Sequence, residues 1–446
     1  MRSCFVPPYL LRQIAVALPE RAAWVEEMLA HDDGLRLQRT LAGAAAATGP
    51  AWQVHTARNG STLPGDLVRS PGDPASGDPA VDEAADGVAA SLAMYAEVYG
   101  RDSYDDAGAT VVATVHYEQD YDNAFWNGAQ LVFGDGDGEI FDRFTKPVDV
   151  LGHELTHAVT ERTAGLVYEG QSGALNESLS DVFASCLKQR LLGQDAIEGD
   201  WLIGQGLFLP GVQARALRDM AHPGTAYDDP VLGRDPQPDH MDGYVETTDD
   251  DGGVHINSGI PNRAFQLAAV AVGGSAAEGA GGIWYAALTG GPSRLAGSHL
   301  TTSLPARSDF AGFAAATVAA AGVHADAVAE AWATVGVTPR ARTAGPGQPP
   351  PEPDGARRVR VRRTGGFAGL VAAGEVDLEA DDRRASELAE LVDRIDLREV
   401  AGGAPHPDMY VFAFDLCGDR ATVPEQHLTS DLRRVADLVL ESGELR

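Results

Sequence analysis

The chain has 446 residues, 44% of them apolar and 7% aromatic, enough for two to four domains with real cores. Its 34 basic and 65 acidic residues leave a net charge of −31, which argues against nucleic acid or an anionic membrane as a partner. Three cysteines, Cys4, Cys186 and Cys417, are odd in number and far apart, which excludes a disulfide framework or a Cys-rich metal site; Cys186 and Cys417 read as small buried side chains.

The first stretch, "MRSCFVPPYLLRQIAVALPER", fails as a secretory signal. Pro7 and Pro8 break it early, Arg12 splits its apolar run, and "IAVALP" is too short. No other apolar run approaches the roughly 20 residues of a membrane span. The expectation is a chain that is cytoplasmic at synthesis, with a non-Sec export route as the alternative. Pro19 and Glu20 fit the first turn of a helix carrying Trp24, Val25, Met28 and Leu29. The run "LAGAAAATGP" marks a boundary near residues 43–52.

Residues 110–118, "TVVATVHYE", are β-branched and predict a strand. "NGAQLVFGDGDGEIF" reads as a strand, a Gly/Asp turn and another strand. Helical spacing then dominates over residues 150–162, 175–189, 260–272 and 310–321. A strand-rich half followed by a helical half predicts an α+β enzyme with a cleft between two lobes. Residues 342–357, "RTAGPGQPPPEPDGAR", predict an extended linker. Beyond it, "RRVRVRRTGGFAGLVAAGEVDL" suggests a hairpin or two short strands, residues 384–395 a helix, and "MYVFAFDL" a strand, together a small independent α+β domain.

The chemistry concentrates in "GHELTHAVTERTAGLVYEGQSGALNESLSDV", residues 152–182. On a helix His153 and His157 project from one face a turn apart, so both imidazoles reach one ion. Zinc needs a third protein ligand and keeps one position for water. Glu177, on a second helix beginning near Leu175, supplies that ligand. Glu154 reaches the open side, where a carboxylate takes a proton from activated water.

"HELTH" followed by "NESLSD" resembles the thermolysin family (M4) of zinc metalloendopeptidases, and "NAFWNG" (residues 123–128) and "GGVHINSGI" (residues 252–260) match it in the same order. The resemblance implies a two-lobed catalytic domain, β-rich then helical, with Zn2+ on His153, His157 and Glu177. It further implies Glu154 as general base, His255 and Tyr168 as oxyanion donors, Asp250 orienting His255, and Asp181 orienting a zinc-binding imidazole. Arg218 would hold a substrate carbonyl, and Asn123 and Ala124 would pair with the substrate backbone. Phe141, Phe144, Val150, Ile203 and Leu217 would line the pocket for the residue after the cut bond, so cleavage before hydrophobic residues is expected.

The chain departs from the family at its double calcium site. Asp149 and Asp200 survive, but Lys188, Leu202 and Gln205 stand where carboxylates are expected, so that site is expected to be lost. "GDGDG" and "TDDDGG" read as Gly/Asp turns rather than calcium loops. "CFVPPYLL" resembles the short-propeptide, protealysin-type branch, in which the N-terminal piece blocks the cleft until it is cut. For "VPPYLL" an arm packing on a neighbour stays open, and for Cys4 either zinc capping by the thiol or simple burial. "RVRVRRTGGFAGL", with its acidic helix and later β segment, resembles emfourin, a small inhibitor of protealysin-like enzymes; on a leash such a brake acts at high local concentration.

The expected organisation is a propeptide (1–50), a catalytic domain (51–340), a linker (341–357) and an emfourin-like domain (358–446). The expected function is a neutral zinc endopeptidase made as a zymogen, a monomer whose partners are peptide substrates and its own propeptide and tail. The alternatives are a catalytically silent zinc scaffold, or an active protease whose tail is a targeting module.

Overall fold

The computed structural model describes residues 4–26, 28–29, 49–291, 303–340, 358–365, 372–378, 383–392, 394–395, 410–417 and 419–440. The chain divides into two units, Met1–Arg342 and Thr343–Arg446.

The first unit opens with an element the sequence reading missed, helix α1 (Pro8–Ala17). Pro8 stands in its first turn, where no backbone N–H is needed, so the proline pair starts a helix rather than breaking one. Leu10, Leu11 and Ile14 are buried beneath it. A 3-10 turn at Pro19–Arg21 then leads into helical residues 22–26, as Pro19 and Glu20 predict.

Strand β1 (Trp52–Gly60), strand β2 (Asp66–Arg69) and helix α2 (Pro79–Tyr99) follow. Asp78 caps α2 by accepting the Ala80 N–H. Strands β3 (Val111–Tyr117), β4 (Ala124–Trp126) and β5 (Leu131–Phe133) complete a sheet of order β2-β1-β3-β5-β4. β1, β3 and β5 run parallel, and β4 lies antiparallel at the edge. The strand expected after the GDGDG turn does not form. Asp137 Oδ1 accepts the N–H groups of Glu139, Ile140 and Phe141 at 2.8, 2.7 and 3.0 Å, so a side chain takes donors that a strand would offer to a neighbour.

Helices α3 (Val148–Glu161) and α4 (Gly170–Leu192) cross at close range because of Gly152. A Cβ there would lie 3.2 Å from the Ala184 Cα and 3.0 Å from a Leu187 methyl, so any side chain would push apart the two helices that carry the HELTH and NESLSD motifs. Two short pairs follow, β6 (Leu202–Ile203) with β7 (Arg218–Asp219) and β8 (Asp228–Asp229) with β9 (Gly233–Arg234). The helical lobe ends with α5 (Asp250–Asn257), α6 (Gly259–Val272), α7 (Ala280–Thr289), α8 (Phe310–Ala320) and α9 (Ala325–Thr334). Trp284 stacks on Trp332 in its core, with ring centroids 6.0 Å apart. Among the described residues, no helix is long and apolar enough to cross a membrane.

The second unit is a sheet of order β11-β10-β12-β13, from β10 (Arg358–Gly365), β11 (Ala372–Asp377), β12 (Tyr410–Leu416) and β13 (Asp419–Pro424), antiparallel throughout. Helices α10 (Ala385–Val392) and α11 (Ser430–Leu440) share its core, in which Leu388, Leu391, Leu432, Val435 and Val439 join Val359, Val361, Phe412 and Phe414. The hairpin, helix and strand expected here are all present. Cys417 departs from expectation: it is exposed, with φ 56° in the turn between β12 and β13. The expected linker lies outside the described residues.

Candidate active site

His153 and His157 lie on successive turns of α3, fully buried, with their Nε2 atoms 3.0 Å apart and their rings edge to face. Their Nδ1 atoms are spoken for. That of His153 lies 2.8 Å from Asp181 Oδ1, and that of His157 2.8 Å from Asn176 Oδ1. The Glu177 carboxylate stands 3.4 Å from His153 Nε2 and 3.5 Å from His157 Nε2. All three ligand atoms lie within 4.8 Å of one another. Two imidazole nitrogens and a carboxylate converging on one point, with both Nδ1 positions engaged, form the donor set of a three-ligand zinc site.

Charge tells the same story. Burial alone would lower the His153 pKa, but hydrogen bonds to Asp181 and Glu177 push it up to about 9. Burial would raise Glu177, yet His255, His157 and His153 hold it well below the usual carboxylate range. The pocket is therefore set for positive charge.

Asp181, one turn beyond Glu177 on α4, is the most heavily used side chain nearby. Its Oδ1 accepts from His153 Nδ1 and from Arg218 Nη2 at 2.7 Å; its Oδ2 accepts from Arg218 Nε and Asn262 Nδ2, both at 2.8 Å. Burial would raise its pKa, but Arg218 and His153 bring it to about 2. The sequence reading missed Asn176 and Asn262. Asn176 stood inside the quoted "NESLSD", where its place beside Glu177 was a usable signal.

Across from the metal ligands, His255 Nδ1 lies 2.6 Å from Asp250 Oδ1, and its backbone N–H donates to Asp250 Oδ2 at 2.9 Å. This closed loop needs an unusual backbone. Asp250, Asp251, Gly252 and Gly253 all have positive φ, at 53°, 50°, 87° and 72°. Tyr168 Oη lies 3.2 Å from His255 Nε2 and donates to Glu177. Glu154 is fully buried on α3, next to His153.

The cleft between these groups and β4 holds residues 4–6 of the same chain. Cys4 pairs antiparallel with Phe125 of β4, and the Phe5 N–H donates to the Ala124 carbonyl at 2.9 Å. Asn123 grips Val6 twice, accepting its N–H at 2.8 Å and donating to its carbonyl at 3.3 Å. The Cys4 carbonyl lies 3.0 Å from His255 Nε2, and the Phe5 carbonyl accepts from Arg218 Nη1 at 3.1 Å. In this structure Cys4, Phe5 and Val6 pack into the cleft of their own chain.

Thermolysin metallopeptidase models match this chain twice, the catalytic domain over residues 45–161 and the alpha-helical domain over residues 164–337. An extracellular metalloprotease of Pectobacterium carotovorum subsp. carotovorum is 48% identical over 345 residues, spanning 75% of this chain and 96% of its own length. The chain belongs to the thermolysin family. It is a zinc metalloendopeptidase, and its tail matches the emfourin family over residues 361–440. An extracellular minor metalloprotease of Serratia marcescens is 37% identical over 287 residues, 62% of this chain and 80% of its own. The solved precursor of protealysin, a metalloproteinase from Serratia proteamaculans, is 46% identical with a TM-score of 0.66, covering 75% of this chain and 100% of that one.

These relatives correct one expectation. The cytoplasmic placement does not stand, because relatives spanning most of this thermolysin-family chain are extracellular proteins. The signal test probes recognition by one export machinery and does not report where a protein works.

The apolar pocket residues Phe141, Phe144, Val150, Ile203 and Leu217 are all buried in one continuous core, with Leu217 beside Gly204 and Phe5 at its cleft end. Where the resemblance puts carboxylates of a calcium site, the Lys188 ammonium donates to Asp200 Oδ1 at 2.7 Å and to the Leu202 carbonyl, and lies 3.6 Å from Asp149 Oδ2.

Proposed function

We propose that this thermolysin-family endopeptidase is made as an inactive precursor, acts outside the cell, and cuts on the N-terminal side of hydrophobic residues. The occupied cleft carries the reading. Cys4, Phe5 and Val6 run antiparallel to the edge strand and use Asn123, Ala124, Arg218 and His255, the groups expected to hold a substrate. In that register the Cys4–Phe5 peptide takes the place of the bond to be cut, and Phe5 that of the residue after it. Residues 1–50 are then the propeptide, 51–340 the catalytic domain, 341–357 the linker and 358–446 the emfourin-like domain.

His153, His157 and Glu177 would hold zinc, which when bound supplies Lewis acidity that makes water a nucleophile near neutral pH. The rest falls to the chain's own groups. Glu154 takes a proton from water and hands it to the departing amine. His255 and Tyr168 donate to the oxygen that gains charge, each such donor typically contributing about 3 kcal/mol to the barrier reduction. Asp250 fixes the His255 tautomer, Asp181 does so for His153, and Arg218 holds the carbonyl after the cut bond. Lys188 takes the place of calcium. The tail acts as a tethered brake.

Casein hydrolysis before and after removal of the N-terminal segment tests the precursor; equal rates would end the zymogen reading. In processed protein, Glu154→Gln should abolish hydrolysis with zinc content unchanged. Residues 357–446 added to a truncated enzyme should slow it, and unchanged activity would assign the tail to targeting.

A further inference from the structure

The pocket that receives Phe5 is more particular than a generic apolar hole. Phe5 is fully buried, and its ring is met in three ways. The Arg218 guanidinium carbon lies 4.8 Å from the ring centroid, over its face. His153 meets the ring edge to face, with centroids 5.2 Å apart and planes at 88°. The far end of the ring abuts Gly204, where an added Cβ would come within 3.2 Å of Phe5 Cε1 and 3.3 Å of Cζ.

Each contact discriminates. Attraction of a cation to a ring face, and of one ring edge to another ring's face, needs a π system that leucine and valine lack. The floor contact involves Cε1 and Cζ, atoms beyond the reach of a branched aliphatic side chain. An alanine at 204 would also crowd the Leu217 Cβ at 3.2 Å, so the floor has nowhere to retreat. Gly204 has φ +73°, so its missing side chain serves the backbone turn as well as the depth of the pocket.

We propose that this enzyme prefers an aromatic residue, phenylalanine above all, immediately after the cut bond, and that Gly204 is the residue that sets the pocket's depth for it. The inference rests on the register proposed above, in which Phe5 stands where that substrate residue would.

The test uses processed enzyme and peptides identical except after the scissile bond, where they carry phenylalanine, cyclohexylalanine or leucine. Cut sites are read by mass spectrometry and kcat/KM by initial rates. Phenylalanine should exceed leucine by about 10-fold, a size typical of pocket discrimination, and should exceed cyclohexylalanine severalfold. Gly204→Ala should bring the phenylalanine-to-leucine ratio down toward unity, a ratio that does not depend on how much enzyme folds. Leucine equal to or better than phenylalanine overturns the proposal, as does cyclohexylalanine matching phenylalanine, or a ratio unmoved in Gly204→Ala. Cleavage after rather than before phenylalanine would instead strike at the register, and no cleavage of any peptide at the function itself. Those failures are separate.

Discussion

Asp181→Asn changes one atom of the site and should disable it. The two carboxylate oxygens accept from four donors: His153 Nδ1, Arg218 Nη2, Arg218 Nε and Asn262 Nδ2. An asparagine must present an NH2 at one of those oxygen positions. Placed at Oδ1, the amide faces His153 and Arg218 Nη2; placed at Oδ2, it faces Arg218 Nε and Asn262. Either flip sets two donors against a donor, at about 1–3 kcal/mol for each unmet buried group. Arg218, 2% exposed, also loses its paired charge, which places the loss at about 3–5 kcal/mol. Because the His153 ring is no longer held, zinc affinity should fall about 10- to 100-fold as well. Guanidinium unfolding followed by a probe in the catalytic unit, together with competitive zinc titration, measures both. A midpoint shift equivalent to less than about 1 kcal/mol, with unchanged zinc affinity, would show that the four-donor account is wrong.

Three other outcomes are expected. Millimolar calcium should not raise the Tm of wild-type protein, whereas Lys188→Ala, which strips the buried Asp149 of its cation, should cost about 2–3 kcal/mol and make the Tm respond to calcium. His116, hydrogen-bonded to Asp135 at 2.7 Å and Asp78 at 3.0 Å, has its pKa raised from 6.5 to about 9, chiefly by the Asp135 bond and against the effect of burial. Because the folded value is the higher one, this stabilisation is complete below pH 6.5 and disappears as pH rises toward 9; with the ring 22% exposed, about 1–2 kcal/mol should be lost across that window in urea melts, and His116→Gln should flatten the loss. Arg21 pairs with Asp137 and Glu139, so Arg21→Ala should raise the activity of the unprocessed chain about 10-fold; Asp137→Asn, which leaves the Glu139 pair, should raise it less, and the double variant no more than Arg21→Ala alone.

The site was legible wherever chemistry demands a residue type at a set spacing. His153, His157 and Glu177 had to be one turn apart and one helix over, and they are brought together in space. Legibility faded where polar residues are buried. Helix α4 carries Asn176, Glu177, Ser178, Ser180 and Asp181 inside the protein, so it has no apolar stripe, and its start was placed at Leu175 instead of Gly170. The left-handed run at Asp250–Gly253 was hidden for a related reason. Two of its members are aspartates, and the return of Asp250 to the His255 ring and backbone depends on φ rather than on composition. That Cys4–Val6 enter the cleft is expected only from the resemblance of "CFVPPYLL"; their side chains do not signal it, because five of their contacts there run through backbone carbonyls and amides.

A cleft filled by its own chain has a kinetic consequence. On the precursor reading proposed above, while Cys4, Phe5 and Val6 occupy the seat of the reaction no other bond of the same molecule can enter it, so the cut that frees the cleft is expected to come from a neighbour already released. Activity in a fresh preparation should then climb along a sigmoid, with a delay that lengthens on dilution and vanishes when a trace of matured enzyme is stirred in.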